Sequence, residues 1–202
     1  MSGRALLFGV PLDLDTYEEA VDHCRALIAE GRPVQHVVLN AGKVVMMQDR
    51  PDLRAVVERC EIVHADGQSI VWAGRLAGLA VPERIAGIDL MQSLLGACEE
   101  QAWPVYFLGA KHDVLDRFLA VVRARYPRLE IAGSRDGYFD DDAGVAAAVR
   151  ASGTRVLFVG ISSPRKELFL SEQLAAMGPV FGAVALPCIS SIDPNQSSWV
   201  KN

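Results

Sequence analysis

The chain alternates short apolar runs rich in β-branched residues with longer segments in which apolar residues recur at helical spacing. Glycine, proline, asparagine or aspartate lies at most junctions between them. Runs such as V-V-L and V-L-F-V are apolar on both faces, as expected where helices cover both sides of a parallel sheet. The alternation predicts an α/β fold, a Rossmann-like doubly wound and mostly parallel sheet with helices on both faces, in a single domain.

The predicted elements follow from these runs. Strands are predicted at residues 5–10, 34–39, 61–65, 105–108, 130–132, 155–159 and 180–185. Helices are predicted at residues 16–30, with Asp15 as the cap, and at 52–59, 68–76, 89–101, 114–125, 141–150 and 165–177. Residues 187–202 are polar and lack any period, so we expect a disordered or non-native tail there.

Composition narrows the class of protein. The 202 residues are 50% hydrophobic and 22% charged, which suits one globular domain with a sizeable core. A net charge of -5 provides no basic field for a nucleic-acid backbone, so we expect no nucleic-acid partner. The cysteines are widely spaced without a C-x-x-C motif, which is typical of reduced thiols in a cytoplasmic protein; they are Cys24, Cys60, Cys98 and Cys188.

Polar motifs follow nearly every predicted strand. They are N-A-G at 40–42, D-G at 66–67, P-E-R-I-A-G-I-D at 82–89, G-A-K at 109–111, G-S-R-D-G-Y-F at 133–139 and G-I-S-S-P-R-K-E at 160–167. Open α/β sheets bind ligands beyond the carboxyl ends of their strands, so we expect these motifs to line one edge. The chain has no G-x-G-x-x-G after its first strand, no P-loop and no G-x-S-x-G, which disfavours dinucleotide oxidoreductases, P-loop NTPases and α/β-hydrolases.

Asp66 stands at the corner between a predicted strand and a predicted helix. In one interpretation it is an N-cap, whose carboxylate accepts a hydrogen bond from the backbone of Gln68 or Ser69. In the other it is a catalytic carboxylate at the carboxyl edge of the sheet. Position alone favours the cap.

The segment after residue 159 could hold a diphosphate. Backbone N–H groups of residues 160–163, the helix start after Pro164, and Arg165 or Lys166 would be the donors. The same residues also suit a plain helix start, with Ser163 as the cap, proline at the first position and an acid at the third. The two interpretations are compatible, because the same N–H groups serve both.

A run of three aspartates at residues 140–142 could be interpreted as a D-x-D metal clamp for a sugar nucleotide. The run opens a predicted helix, where acidic residues complement the positive end of the helix dipole. We therefore expect no metal site there.

The ordered set V-V-L-N, A-D-G-x-x-I-V-W, P-E-R-I-A-G-I-D-L, F-L-G, G-Y-F and V-G-I-S-S-P-R-K-E resembles the WecG/TagA/CpsF family of inverting glycosyltransferases. That family makes teichoic-acid linkage units, enterobacterial common antigen and exopolysaccharide repeat units. The resemblance implies a glycosyltransferase domain at residues 1–186 that moves a sugar from a UDP-sugar to a polyprenyl-diphosphate-linked saccharide acceptor, with no metal or other cofactor. Within the family the chain resembles the teichoic-acid N-acetylmannosaminyltransferases, and its Arg-Lys pair is similar to the exopolysaccharide branch, which includes the xanthan-type glucosyltransferase.

The resemblance also implies roles for single residues. The family's proposed base falls on Asp66, its motif arginine on Arg84 and its strand-end asparagine on Asn40. Val38 replaces the family's usual threonine, and Lys166 replaces a glutamine but could neutralise a phosphate. The candidate substrate-binding residues are Val38, Asp89, Gly109, Asp136, Gly137, Tyr138, Gly160, Ser163, Pro164, Arg165, Lys166 and Glu167.

The family works at the inner face of the bacterial cytoplasmic membrane, so the resemblance implies a cytoplasmic, peripheral protein. The family's basic C-terminal appendage has no counterpart in residues 185–202, which predicts weak membrane binding. Assembly into a homo-oligomer is left open. The alternative to an enzyme is a degenerate or truncated homologue that binds a nucleotide sugar without turning it over.

Overall fold

A computed structural model of the chain describes residues 3–178 and 180–184. Its strands are β1 Arg4–Leu7, β2 Val10–Asp13, β3 Val34–Leu39, β4 Ile62–Ala65, β5 Val105–Gly109, β6 Ile131–Arg135, β7 Val156–Gly160 and β8 Phe181–Val184. Its helices are α1 Tyr17–Glu30, α2 Ala41–Asp49, α3 Pro51–Arg59, α4 Gln68–Leu76, α5 Gly87–Gln101, α6 His112–Arg125, α7 Asp142–Ala151 and α8 Arg165–Met177. The expected tail at residues 187–202, with Cys188, lies outside the described residues.

Six strands form one parallel sheet in the order β4-β3-β8-β7-β5-β6. Two apolar cores cover its faces. One contains side chains of α2, α3, α4, α7 and α8, and the other contains side chains of α1, α5 and α6. The predicted single-domain, Rossmann-like α/β fold with helices on both faces is therefore confirmed.

The prediction of one strand at residues 5–10 was wrong. Strands β1 and β2 form an antiparallel hairpin outside the parallel sheet. Phe8 and Gly9 connect them with φ angles of 56° and 79°, the left-handed geometry that two-residue hairpin turns require. Leu7, Val10 and Leu12 bury the inner side of the hairpin against the core.

Three local predictions were also corrected. Residues 41–49 form α2, which we did not predict. Thr16, not Asp15, caps α1: its Oγ1 accepts from the N–H of Glu19, whose carboxylate accepts in turn from the N–H of Thr16 at 2.8 Å. Strand β6 continues to residue 135, so G-S-R at 133–135 belongs to the strand rather than to the loop after it.

Asp15 instead belongs to a chain of polar side chains under β3 and β4. Its Oδ2 lies 3.1 Å from His64 Nε2 and 3.3 Å from His23 Nδ1. His64 Nδ1 lies 3.2 Å from His36 Nε2, and both rings are buried. These hydrogen-bonded side chains connect the segment before α1 to the β3–β4 edge of the sheet. Burial, reinforced by the neighbouring His64, lowers the pKa of His36 well below its ordinary value of 6.5.

We expect the protein to lose stability as the pH falls below 6.5, the ordinary histidine pKa. Folded His36 stays neutral there while the unfolded chain takes up a proton, which removes about 1 kcal/mol per pH unit. Urea unfolding at pH 7 and pH 5.5 measures this loss. His36→Leu should flatten the dependence, and an equally steep loss in that variant would contradict the assignment.

Candidate active site

The parallel sheet brings the predicted strand-end motifs to one edge. Asn40 follows β3, Asp66 follows β4, Asp136 follows β6 and Ile161 follows β7. All these strands run in the same direction, so their carboxyl ends meet at that edge. The expectation that these motifs line one edge of the sheet is therefore confirmed.

Asp66 lies at this edge in a partly desolvated place. Its N–H donates to Leu39 O at 2.8 Å, which fixes the end of β4 against β3. The backbone N–H of Gly87, the first residue of α5, donates to its carboxylate. Burial raises the pKa of Asp66, although the positive charges of Arg84 and Lys43 act against the rise. The carboxylate thus holds a proton more readily than an ordinary aspartate.

The cap interpretation of Asp66 was wrong. Gly67 is the N-cap residue of α4, and no side-chain hydrogen bond caps this helix start among the described residues. The carboxylate contacts the start of α5 instead, which comes later in the chain. Asp66 is therefore not needed to begin the helix that follows it, and the catalytic interpretation stays a prediction.

Two further catalytic candidates lie beside Asp66. Asn40 caps α2, since its Oδ1 accepts from the N–H of Lys43 at 2.9 Å. Arg84 is exposed in the loop before α5, and the neighbouring Ile85 N–H donates to Ala65 O at 2.8 Å, which holds this loop against the end of β4. The structure thus brings Asn40, Asp66 and Arg84 to one half of the edge.

Candidate residues Val38 and Asp89 differ in surroundings. Val38 is buried in β3 and belongs to the apolar core. Asp89 is exposed in the first turn of α5, and its charge adds to the rise in the pKa of Asp66. Asp89 therefore lies near Asp66 at the site, whereas Val38 is part of the apolar core and not of the site surface.

A cavity of about 440 Å³ opens on the other half of the edge, between the ends of β5, β6 and β7. Its lining residues are Ala110, Lys111, Val114, Gly137, Tyr138, Gly160, Ile161, Ser162 and Arg165. Our candidates Gly137, Tyr138, Gly160 and Arg165 are thus brought together. Val114 was not predicted, because it looks like an ordinary apolar position at the start of α6.

Glycines let the loops around this cavity approach closely. Gly109 has φ of +146°, and a Cβ there would overlap the carbonyl group of Gly160 on the paired strand. Gly137 donates its N–H to Ala110 O at 2.8 Å, and a Cβ on it would lie 2.7 Å from Ile161. Gly137 and Gly160 therefore line the cavity with backbone atoms alone.

Tyr138 and Asp136 form the rim of this region. Asp136 Oδ1 accepts from the N–H of Tyr138 at 2.9 Å, which fixes the turn after β6. The Tyr138 side chain is 70% exposed and lines the cavity. An exposed ring at a cavity mouth can stack on a planar ligand.

The start of α8 differs from our prediction. Pro164, not Ser163, is the N-cap residue, and it follows a cis peptide bond. Ser163 Oγ donates instead to Glu167 Oε1 at 2.9 Å. Lys166 donates its N–H to Ser162 O at 3.1 Å. Ser163 is thus turned toward the interior of the helix start.

Arg165 has a resident partner. Its Nη1 donates to Asp142 Oδ2 at 2.6 Å, its Nη2 donates to the other carboxylate oxygen, and its guanidinium lies 5.2 Å from the centre of the Phe139 ring. Asp141 caps α7 by accepting from the N–H of Gly144 at 2.8 Å. The aspartate run therefore opens a helix, as predicted, and pairs with Arg165.

A cluster of buried charges connects the two halves. Lys43 Nζ donates to Glu167 Oε1 at 2.6 Å, and Lys166 Nζ lies 3.8 Å from the same oxygen. Burial lowers the pKa of Lys166 to about 8, with Lys43 acting in the same direction and Glu167 and Asp66 against it. We call Lys43, Lys166 and Glu167 the lysine–glutamate cluster. Lys43 lies in α2, which follows β3, and the other two residues lie in the first turn of α8, which follows β7.

The helix after Asp66 has an apolar outer face. Trp72 and Leu76, one turn apart on α4, are 60% and 90% exposed. Across residues 3–178 and 180–184, no helix has both the length and the apolar character needed to cross a bilayer.

The chain matches one protein-family model, described as the glycosyl transferase WecG/TagA/CpsF family, over residues 5–193. This match includes both halves of the edge, from Asn40 and Asp66 to the start of α8. The chain therefore belongs to the WecG/TagA/CpsF family of glycosyltransferases.

Proposed function

We propose that this glycosyltransferase moves a sugar from a UDP-sugar to a polyprenyl-diphosphate-linked saccharide, with inversion, in cell-wall or exopolysaccharide biosynthesis. The observation that carries the proposal is Asp66. It is a partly desolvated carboxylate with a raised pKa, held at the carboxyl edge of the sheet beside Arg84. A base of this kind suits the deprotonation of a sugar hydroxyl near neutral pH.

Asp66 would act as the general base. The acceptor oxygen attacks the anomeric carbon, its proton passes to the Asp66 carboxylate, and the bond between that carbon and the diphosphate oxygen breaks with release of UDP. A single displacement from the opposite side inverts the configuration at the anomeric carbon. Negative charge grows on the leaving diphosphate, so nearby cations stabilise the transition state more than the ground state.

The donor would bind across the two halves of the edge. The cavity at the ends of β5, β6 and β7 offers the exposed Tyr138 ring for a base and free space for a nucleoside. Lys166 follows the cavity residue Arg165 and interacts electrostatically with Asp66, so its ammonium could meet the diphosphate. Arg84 could contact it from the Asp66 side, whereas Arg165 would have to share its guanidinium with Asp142.

The acceptor would be presented at a membrane surface. Trp72 and Leu76 extend the Asp66 half of the edge with exposed apolar side chains, and α4 contains no acidic residue. Aromatic and aliphatic side chains of this kind insert at the boundary between headgroups and lipid tails. These features support a cytoplasmic protein that rests on the inner face of the cytoplasmic membrane.

Calorimetric titration tests the donor. We expect UDP to bind more tightly than CMP or inorganic phosphate, because the cavity and the cationic cluster would contact both base and diphosphate. If UDP binds no better than these two probes, the proposed donor is wrong. UDP binding without release of UDP from any UDP-sugar plus acceptor would instead favour the non-catalytic, nucleotide-sugar-binding alternative.

We also propose that transfer needs no divalent metal. Asp141 is used as a helix cap and Asp142 is paired with Arg165, so both acids already have partners. Excess chelator should therefore leave the transfer rate unchanged. Loss of activity that magnesium or manganese restores would contradict this and point to a metal site at residues 140–142.

A further inference from the structure

Lys43 occupies an unfavourable position for a lysine. It lies in the first turn of α2 with 3% of its side chain exposed. The positive end of a helix dipole repels a cation, and burial of an ammonium costs free energy. Its partner Glu167 is completely buried in the first turn of α8. Buried ion pairs add little stability relative to apolar residues, so stability alone does not explain this pair.

Two hydrogen-bond donors and a more distant ammonium surround one oxygen of Glu167, Oε1. Lys43 Nζ lies at 2.6 Å and Ser163 Oγ at 2.9 Å, both within hydrogen-bond distance. Lys166 Nζ lies at 3.8 Å, beyond that distance. Among residues 3–178 and 180–184, nothing donates a hydrogen bond to the other oxygen, Oε2. Lys43 and Ser163 therefore hold Glu167, and the Lys166 ammonium remains weakly paired.

Counted by formal charge, the two lysines and one glutamate of the cluster sum to +1, and the neighbouring Asp66 carboxylate interacts with both lysines. Burial limits the screening of these charges by salt. Lys166 Nζ lies 3.8 Å from its nearest carboxylate oxygen, and burial together with the charge of Lys43 lowers the pKa of Lys166 to about 8, against the charges of Glu167 and Asp66. A bound anion would compensate the Lys166 charge.

We propose that Lys43 is a positioning residue for anion binding: by occupying Glu167 it keeps the Lys166 ammonium available for the diphosphate of a nucleotide donor. The inference rests on the proposed function, which assigns Lys166 to that diphosphate. Without Lys43, Lys166 is the cation already beside Glu167, and the two would neutralise each other. Lys43 thus acts on the ligand through Glu167 and Lys166 rather than by contact.

Calorimetric titration of UDP into four proteins tests this charge count. Lys43→Met leaves the cluster neutral and should weaken UDP binding roughly tenfold, the worth of one charge-assisted contact. Glu167→Gln leaves two positive charges and should bind UDP at least as tightly as wild type. The double variant Lys43→Met/Glu167→Gln restores one positive charge and should recover near wild-type affinity.

Glu167→Gln separates this role from a structural one. If Lys43 only supports the fold by pairing with Glu167, removal of either partner leaves a buried charge unpaired, and Glu167→Gln should bind UDP more weakly than wild type. That result, or unchanged affinity in Lys43→Met, would overturn the inference. If Lys43→Met does not fold, UDP affinity below that of wild type in folded Glu167→Gln or in the folded double variant would also overturn the inference.

Lys166→Met distinguishes this inference from the proposed function. We expect it to lose UDP affinity by a factor similar to that of Lys43→Met. Wild-type affinity in Lys166→Met would overturn the inference and leave the donor assignment intact. Wild-type protein that does not bind UDP would contradict the proposed function and the inference together.

Discussion

Replacement of Asp66 by asparagine is expected to lower the sugar-transfer rate by roughly 10²- to 10⁴-fold, the usual worth of general acid–base catalysis. Stability should change little, because Asp66 does not cap α4 and an amide oxygen can still accept the Gly87 N–H. UDP affinity should also stay near wild type, since the proton moves only in the transition state. Melting temperature, UDP dissociation constant and transfer rate are measured on one preparation.

Asp113→Asn is the matched control for this change. Asp113 lies in the first turn of α6 with an exposed side chain and does not line the cavity, so the variant should keep the full rate.

Burial raises the pKa of Asp66, so the wild-type rate should fall with decreasing pH at a value above the ordinary 3.8, where the carboxyl group becomes protonated. A stable Asp66→Asn protein with a near-normal rate would show that Asp66 is not the general base.

Gly109→Ala is expected to destabilise the fold by roughly 3 kcal/mol, from backbone strain and overlap together. Gly109 has φ of +146°, and an added Cβ would overlap the Gly160 carbonyl group. To relieve this overlap, the ends of β5 and β7 would have to move apart. UDP binding should then weaken, because Ala110 and Gly160 line the cavity. Urea unfolding and UDP titration measure both effects.

Gly96→Ala is the control for the loss of a glycine. Gly96 lies inside α5, where a Cβ would meet no atom within 4 Å. Alanine there should stabilise the protein by about 0.5–1 kcal/mol through helix propensity. If the two variants unfold at the same urea concentration, the fold does not need a glycine at position 109 for the close approach of β5 and β7.

The parallel sheet could be predicted because its strands are apolar on both faces and its helices have clear periods. Helix α2 could not, since Gly42 and the β-branched Val44 and Val45 lower helix propensity over a short segment. The N-terminal hairpin was missed because the apolar run continues through Phe8 and Gly9, whose left-handed backbone has no strong sequence signal when phenylalanine comes first.

The sequence predicted where the site residues lie, because they come at the strand ends. It did not predict which side chains pair with them. Lys43 and Glu167 are 124 residues apart, and the sequence around Lys43 does not indicate that this lysine is buried against a glutamate. Arg165 was predicted as free to bind an anion, whereas the fold pairs it with Asp142. Pairings of this kind depend on strand order and register, which a single sequence leaves open. The desolvation of Asp66 depends on the packing of α5 for the same reason.

Transfer onto a lipid acceptor tests the account most directly. The protein is incubated with UDP-glucose, UDP-N-acetylglucosamine or UDP-N-acetylmannosamine and a polyprenyl-diphosphate-linked saccharide, and released UDP and the linkage in the lipid product are measured. The account predicts UDP release that depends on the acceptor, with inversion of the α-linked donors to a β-linked product. A product that keeps the donor's α configuration, or UDP release that does not depend on the acceptor, would contradict it.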